Sequence, residues 1–513
     1  MMEGIYEGVT TALTTYNILM VGIGCFAGTF IGMLPGLGPI SAIALMIPIT
    51  YGMEPSSGLI LIAGVYYGAI FGGSTSSILI NAPGVAGTVA TAFDGYPMAK
   101  KGYAGKALAI AAYSSFSGGT IAAVFLLFAA PALAKVSLSF QSSDYFALMV
   151  LGLTAVAAFA GKGKFLKAAI MTIFGLMLAT VGTDGDSGVS RFTFGNLDLI
   201  DGISFLLLAM AAFALSEALM NIIENKKMSK EEKEALNKDI GNLKVTKEEF
   251  KEMAPVIGRS SVLGFFVGVL PGAGATIASF LAYGMERSLA SAKDKLMFGK
   301  GSIKGLAAPE SANNAACSGS FVPLLTLGIP GSGTTAVILG ALISYGIQPG
   351  PTMYTEQPAL FWSVIISMYV GNIVLLVLNL PLIPYIAKLL TTPKQLLTPL
   401  VIFFSLIGVY LVTFNTFDIY MMILFSIIAV GLRLVDYPMA PMILGFILGG
   451  MMENNLRRAL TISDGSLNFL WERPITLTIL IVTVLMLISP LISQFIMSPT
   501  KRTEASKSFI PKC

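Results

Sequence analysis

The chain has 513 residues, of which 55% are hydrophobic and only 12% charged, with a net charge of +4 and a mean hydropathy of +0.79. Soluble domains carry about 25% charged residues, so the composition excludes a soluble globular enzyme and points to a polytopic membrane protein. There is no histidine, which excludes Ser-His triads and His-ligated metal or haem, and so small a net charge gives no case for a nucleic-acid partner.

Taken in chain order, the sequence starts MMEGIYEG, an acidic stretch without the basic n-region of a cleaved signal peptide. A Pro-Gly break follows in GMLPGLGP (32–39) and another in GGSTSSILINAPGVAGT (72–88). Lysines 100, 101 and 106 form one basic cluster and lysines 162, 164 and 167 a second. Apolar runs near 107–134 and 144–160 make an out-and-back pair between them, because basic residues at span ends mark the cytoplasmic side. Runs near 168–183 and 199–222 do the same and leave 184–198 outside. The stretch 224–252, with eight lysines against eight acidic residues, reads as a solvated cytoplasmic connector. Two more breaks follow in GVLPGAGA (268–275) and GIPGSGTT (328–335). Arg433, Arg457, Arg458 and Arg473 fall in short loops that alternation puts on opposite faces, so they leave the crossings after 390 open and place no arginine beside a substrate.

At about 40 residues per crossing and connection, the length predicts about a dozen crossings. Cys25, Cys317 and Cys513 form no CxxC pair, so neither zinc nor a disulfide framework is indicated. Gly105-Lys106 and Gly299-Lys300 are each followed by the wrong residue for a phosphate-binding P-loop.

The four breaks pair across the halves. Residues 32–39 answer 268–275 at an offset of 236, and 81–88 answer 328–335 at an offset of 247. The first pair is approached from the acidic start and the second from the lysine-rich connector. The prediction is an all-α polytopic membrane protein of about 12 segments, in two inverted repeats with Pro-Gly-broken helices or hairpins, an arrangement found in secondary transporters. Its parts are a first repeat (1–223), a charged connector (224–253), a second repeat (254–390) and C-terminal segments with a basic tail (391–513). Pro removes a backbone donor and Gly permits dihedrals closed to other residues. In lipid such breaks persist only where protein or a watery cavity covers the freed backbone groups. A broken helix then offers bare N–H groups to an anion and carbonyls to a cation. The competing reading, of Pro kinks and Gly packing notches, suits one break better than four paired ones.

The candidate solute-binding residues are therefore Pro35, Gly36, Ser74, Thr75, Asn81, Pro83, Gly84, Thr88, Pro271, Gly272, Asn313, Asn314, Pro330, Gly331, Ser332, Gly333 and Thr334. Hydroxyls and amides can bond carboxylate oxygens, and their oxygens suit a hard cation such as sodium. Candidate cation ligands are Asn81, Thr326, Asp94 and Glu310. A mid-membrane charge costs roughly 2.5–3.5 kcal/mol on insertion scales and is retained for a function, though Asp94 beside Gly95 also reads as an interfacial cap. No cofactor is expected, with Na⁺ the only ion proposed to bind.

With these segments in view, the chain resembles the large membrane subunit of the tripartite tricarboxylate transporters, the TctA-like permeases. The resemblance rests on GMLPGLGP (32–39), NAPGVAGTVATAFDGYPMAKKG (81–102), GVLPGAGAT (268–276), PESANNAACSGSFVPLLTLGIPGSGTTAVILGAL (309–342), QPGPTMY (348–354) and GGMMENNLRRAL (449–460). It implies a permease, not an enzyme, that imports a citrate-like tricarboxylate or a dicarboxylate by Na⁺ or H⁺ symport across the inner membrane of a prokaryote. It also implies two partners besides lipid, a small membrane subunit and an extracytoplasmic solute-binding protein, and by analogy an elevator-like movement of the broken-helix core. Many relatives carry a histidine shortly before the QPGP segment, where this sequence reads Ser344-Tyr345-Gly346, and that departure tilts the expected coupling ion toward sodium. The alternative is a stand-alone small-anion carrier or channel without a binding-protein partner.

Overall fold

The computed structural model describes residues 2–160, 163–224, 240–391 and 394–496. Lys162, most of the expected charged connector and the basic tail from Lys501 lie outside the described residues. The described chain is helical nearly throughout. The first half contains α1 (Met2–Ala12), α2 (Thr15–Met33), α3 (Gly38–Thr50), α4 (Pro55–Ile80), α5 (Val89–Lys100), α6 (Ala104–Ser137), α7 (Ser142–Ala158), α8 (Phe165–Ala179) and α9 (Phe205–Glu224). The second contains α10 (Lys247–Val269), α11 (Gly274–Leu289), α12 (Ile303–Gly319), α13 (Phe321–Leu327), α14 (Gly333–Ser344), α15 (Pro358–Asn379), α16 (Lys394–Thr413), α17 (Thr416–Leu434), α18 (Ala440–Ile462) and α19 (Pro474–Ile496). Gly182–Thr183 and Ser190–Arg191 pair as a short antiparallel ribbon. Among the described residues, eight helices are long and apolar enough to cross a membrane, and shorter apolar helices accompany them. The chain is an all-α, multi-pass membrane protein.

The breaks follow from local chemistry. A residue before proline is driven out of the helical region, and Leu34 and Leu270, which precede Pro35 and Pro271, close α2 and α10 in extended conformation with ψ of 113° and 124°. The chain then turns through left-handed glycines, Gly36 (φ +100°) and Gly38 (φ +64°) in the first case, Gly272 (φ +79°) and Gly274 (φ +59°) in the second. At the other pair of breaks the left-handed residue ending the helix is Asn81 (φ +53°) or Gly328 (φ +67°).

Packing recurs at the same two offsets as the sequence. Gly24, Gly28 and Gly32 of α2 press against the backbone of Leu61, Val65 and Ala69 of α4, while Gly264 and Gly268 of α10 press against Ala312 and Ala316 of α12. Small residues let helix backbones approach this closely in a membrane. Gly84 lies on the Gly32 carbonyl and Gly331 on the Gly268 carbonyl, so the loop after α4 folds onto the end of α2 and the loop after α13 onto the end of α10. Between these seams α4 is buried along its whole length, as expected of a helix apolar on every side.

Polar contacts at the helix ends sort the later crossings that the arginines left open. On the lysine-bearing face, Lys106 pairs with Glu249 at 2.7 Å and the Lys167 ammonium donates to the Val435 carbonyl at 2.7 Å. On the opposite face, Asn415 bonds Asp198 at 2.9 Å, Arg457 bonds Asp184 at 2.6 Å and Arg473 bonds Asp144 at 2.8 Å. Accordingly α17 runs from the far face at Asn415 to the lysine face at Arg433, and α18 returns. Arg433 belongs to the last turn of α17 rather than to a loop.

Candidate functional site

Four helices begin at the breaks, and their starts meet in crossed pairs. A methyl group placed on Gly87, just before α5, would lie 3.3 Å from Ala275 of α11, and one on Gly333 of α14 would lie 3.3 Å from Ile40 of α3. The Gly272 N–H donates to the Gly331 carbonyl at 3.0 Å, joining two breaks directly. The first N–H groups of a helix have no internal partner and sit at its positive dipole end. At α14 they are capped, since Ser332 accepts from the Thr335 N–H at 3.2 Å and the Thr335 hydroxyl accepts from the Ser332 N–H at 2.8 Å. The starts of α3, α5 and α11 have no such side-chain cap.

Beside the first two breaks is a cavity of about 380 Å³, within the range of small-molecule sites. Its wall is residues 36–41, 83–86 and Val89, closed by Phe213, Glu217 and Arg433. It thus contains the predicted Gly36, Pro83 and Gly84. Pro271, Gly272, Pro330, Gly331 and Gly333 belong to the opposing breaks and do not line it.

A second polar centre surrounds Glu310, fully buried on α12. Its carboxylate accepts from Ser74 of α4 at 2.8 Å, from Ser115 of α6 at 2.7 Å and from Thr91 of α5. The neighbouring Asn314 side chain bonds the Glu310 carbonyl at 3.0 Å and Asn313 Oδ1 at 2.7 Å, and Asn313 reaches the Gly87 carbonyl at 3.4 Å. A water-sized space of about 10 Å³ adjoins the carboxylate, bordered by Ser74, Thr75, Ser115 and Asn379. Asn379 is buried and its Oδ1 has no hydrogen-bond partner. Buried polar atoms are rarely left unsatisfied. The centre can hold one small cationic species among neutral oxygens.

Other candidates are placed elsewhere. Asp94 Oδ1 accepts the N–H groups of Gly299, Gly301 and Ser302 at 2.7–2.9 Å, and Oδ2 accepts from Tyr283 at 3.0 Å. Three N–H groups on one oxygen make this carboxylate a tie for the loop before α12. The Thr326 hydroxyl bonds its own helix at Val322. Thr88 ties its break back to the Gly73 and Val85 carbonyls. Asn81 is exposed where α4 ends, and Thr334 is buried in the first turn of α14. Four residues that sequence reasoning missed complete the two centres: Ser115, Asn379, Glu217 and Arg433. The sequence leaves every arginine unplaced relative to the breaks; the structure puts Arg433 in the wall of the cavity beside the first two. Charges within the apolar runs at 217 and 433 were its available signal.

The comparisons with known proteins agree with this architecture. Residues 18–444 match the family described as the tripartite tricarboxylate transporter TctA family. The chain is 43% identical over 503 residues to an uncharacterized 52.8 kDa protein in the TAR-I ttuC' 3'region of Agrobacterium vitis, covering 98% of this chain and 97% of that one. It is 48% identical over 217 residues to an uncharacterized protein in the TAR-II ttuC' 3'region of the same organism, covering 42% of this chain and 89% of that one. No solved structure matches it. The chain belongs to the tripartite tricarboxylate transporter TctA family.

Proposed function

We propose that this chain is the permease subunit of a tripartite carboxylate importer in the inner membrane of a prokaryote. It would take a di- or tricarboxylate such as citrate from an extracytoplasmic binding protein, beside a small membrane subunit, and couple its uptake to Na⁺ or H⁺. The observation that carries the reading is a connection between the two centres through one helix turn. Val89 lines the cavity and Thr91, two residues on, bonds Glu310. A solute bound at the breaks and a cation bound at Glu310 would therefore act on the same first turn of α5. Family membership supports the solute class, and the mirrored packing at both offsets supports two inverted repeats.

The solute would bind where the uncapped starts of α3 and α5 offer N–H groups and positive dipole ends. The cation would bind at Glu310. Its side-chain neighbours are hydroxyls and an amide, and among the described residues no salt bridge reaches it. An ionised carboxylate so buried costs several kcal/mol unless its charge is met. Glu310 is thus expected to carry either a proton or a metal cation whenever the surrounding helices are closed. The missing histidine and the surrounding hydroxyl oxygens favour Na⁺.

Energetics bounds the coupling. Each negative charge moved inward against 100 mV costs about 2.3 kcal/mol, so a dianion costs about 4.6 kcal/mol before any concentration gradient. Two cations bring electroneutrality, and a third lets the potential assist. The test is uptake of labelled citrate, succinate and malonate into proteoliposomes with imposed Na⁺ or H⁺ gradients, using the full chain with and without the neighbouring subunits. Saturable, cation-dependent uptake supports the proposal. Non-saturating flux indifferent to both gradients would instead indicate a passive channel.

A further inference from the structure

Arg433 and Glu217 border the solute cavity, and their arrangement has more in it than an interhelical ion pair. The Arg433 Nη1 donates to the Glu217 carboxylate. Nη2 donates at 2.9 Å to the Ala212 carbonyl. That carbonyl lies in a π-helical stretch of α9, Met210–Leu215, a deformation common at functional sites. The third donor, Nε, is buried without a hydrogen-bond partner. The same cavity is lined by Gly36, Gly38, Pro39, Pro83 and Gly84 of the first two breaks. The Glu217 carboxylate is itself close to one break, for a methyl group placed on Gly36 would stand 2.9 Å from its Oε1.

The chemistry of these groups is complementary to a carboxylate. Arginine is the side chain suited to bidentate carboxylate binding, and this one has an unused donor beside a cavity of solute size. Without a solute, Glu217 supplies the negative charge the guanidinium requires. We propose that Arg433 is the specificity-determining cation for the transported carboxylate, and that Glu217 is an internal stand-in displaced from it when the solute binds. This rests on the permease reading above and deepens it. One solute carboxylate takes the guanidinium, including Nε, while the rest of the anion faces the N–H groups of the breaks. Displacing Glu217 changes its contact with Gly36, beside which it stands when paired with Arg433, so loading of the site is felt at the first break.

The experiment is citrate binding and uptake by the full chain and its variants. Binding is read as the citrate-dependent rise in melting temperature of detergent-purified protein, with chloride as the control anion. Arg433→Gln is expected to weaken citrate binding by about 10- to 100-fold, the scale of a lost charge-assisted contact. Arg433→Lys should recover part of that loss. Glu217→Gln should tighten citrate binding, since the competing carboxylate is gone, while slowing turnover. The double variant, Arg433→Gln with Glu217→Gln, removes both charges and is expected to fold but not to bind citrate. A merely structural ion pair predicts the reverse: Glu217→Gln would not bind more tightly, and the neutral double variant would regain wild-type binding. Either of those results overturns the proposal. If wild-type protein neither binds nor transports citrate, succinate or malonate, the carboxylate reading itself falls and takes this assignment with it.

Discussion

Replacing Gly84 with alanine is the perturbation whose size the packing defines best. A methyl group there would fall well inside contact distance of the Gly32 carbonyl oxygen and 3.0 Å from the Gly73 Cα. Neither obstacle is a side chain that can rotate away. Gly32 is itself seated on Ala69, so relief requires the return loop to lift from two packed helices by roughly 1.5–2 Å, given normal separations of roughly 3.5–4 Å. Overpacking of this kind costs about 1–3 kcal/mol, and the upper end corresponds to roughly a hundredfold loss of the competent arrangement. At Gly331 the same substitution meets the Gly268 oxygen and Ser320 Cβ at 2.9 Å each. That overlap is milder, and the expected loss is at the lower end, about 1 kcal/mol or several-fold. The assay is the initial rate of citrate uptake per inserted molecule, with size-exclusion profiles to verify folding. Gly84→Ala should be nearly inactive and Gly331→Ala clearly impaired. Wild-type rates in Gly84→Ala, or a harsher effect at Gly331, would refute the argument that close seating of the return loops is required for transport.

Other predictions concern the polar centres and the far-face ribbon. Ser115→Ala and Thr91→Val each remove one donor from Glu310 and, at about 0.5–1.5 kcal/mol per hydrogen bond, should change the Na⁺ concentration for half-maximal uptake by roughly 2- to 10-fold. Citrate KM at saturating Na⁺ should move little, and an equal change in both would show that the hydroxyls do not serve the cation. In the ribbon, the Ser187 N–H bonds the Asp184 carboxylate and, with Arg457 alongside, holds its pKa down to about 2. Because the folded value lies below the unfolded one of about 3.9, this contribution is fully present above pH 4 and is lost as pH falls toward 2. Protection against hydrogen exchange at residues 182–191, taken relative to the intrinsic rate at each pH, should therefore fall only below about pH 4, and a fall between pH 7 and 5 would contradict the assignment.

Much of this architecture is legible in the sequence because it depends on backbone chemistry. Pro35 and Pro271 each stop a helix, and the left-handed turns that follow need glycine, so the breaks are visible as Pro-Gly pairs that the prolines inside helices, such as Pro131 and Pro309, lack. Glu310 stands out for the same reason, as an acid in an otherwise small and apolar stretch. Its partners do not. Ser115 resembles any serine bonding its own helix, and only the approach of α6 to α12 brings it to the carboxylate. Asp94 shows the converse, an acid that looks available in sequence but has one oxygen taken by three N–H groups of a loop some two hundred residues away. Arg433 and Glu217 come from distant helices, and the π-helical carbonyl that steadies the guanidinium has no sequence pattern.

The measurement that bears most directly on the central claim is the charge-to-citrate flux ratio in proteoliposomes, for wild type and for Glu310→Gln. The account predicts neutral or inward positive current in wild type, which requires at least three cations per citrate trianion, or two per dianion such as succinate. In Glu310→Gln it predicts loss of concentrative uptake while downhill exchange of citrate persists. Net inward negative current in wild type, or an unchanged coupling ratio in the variant, would contradict it.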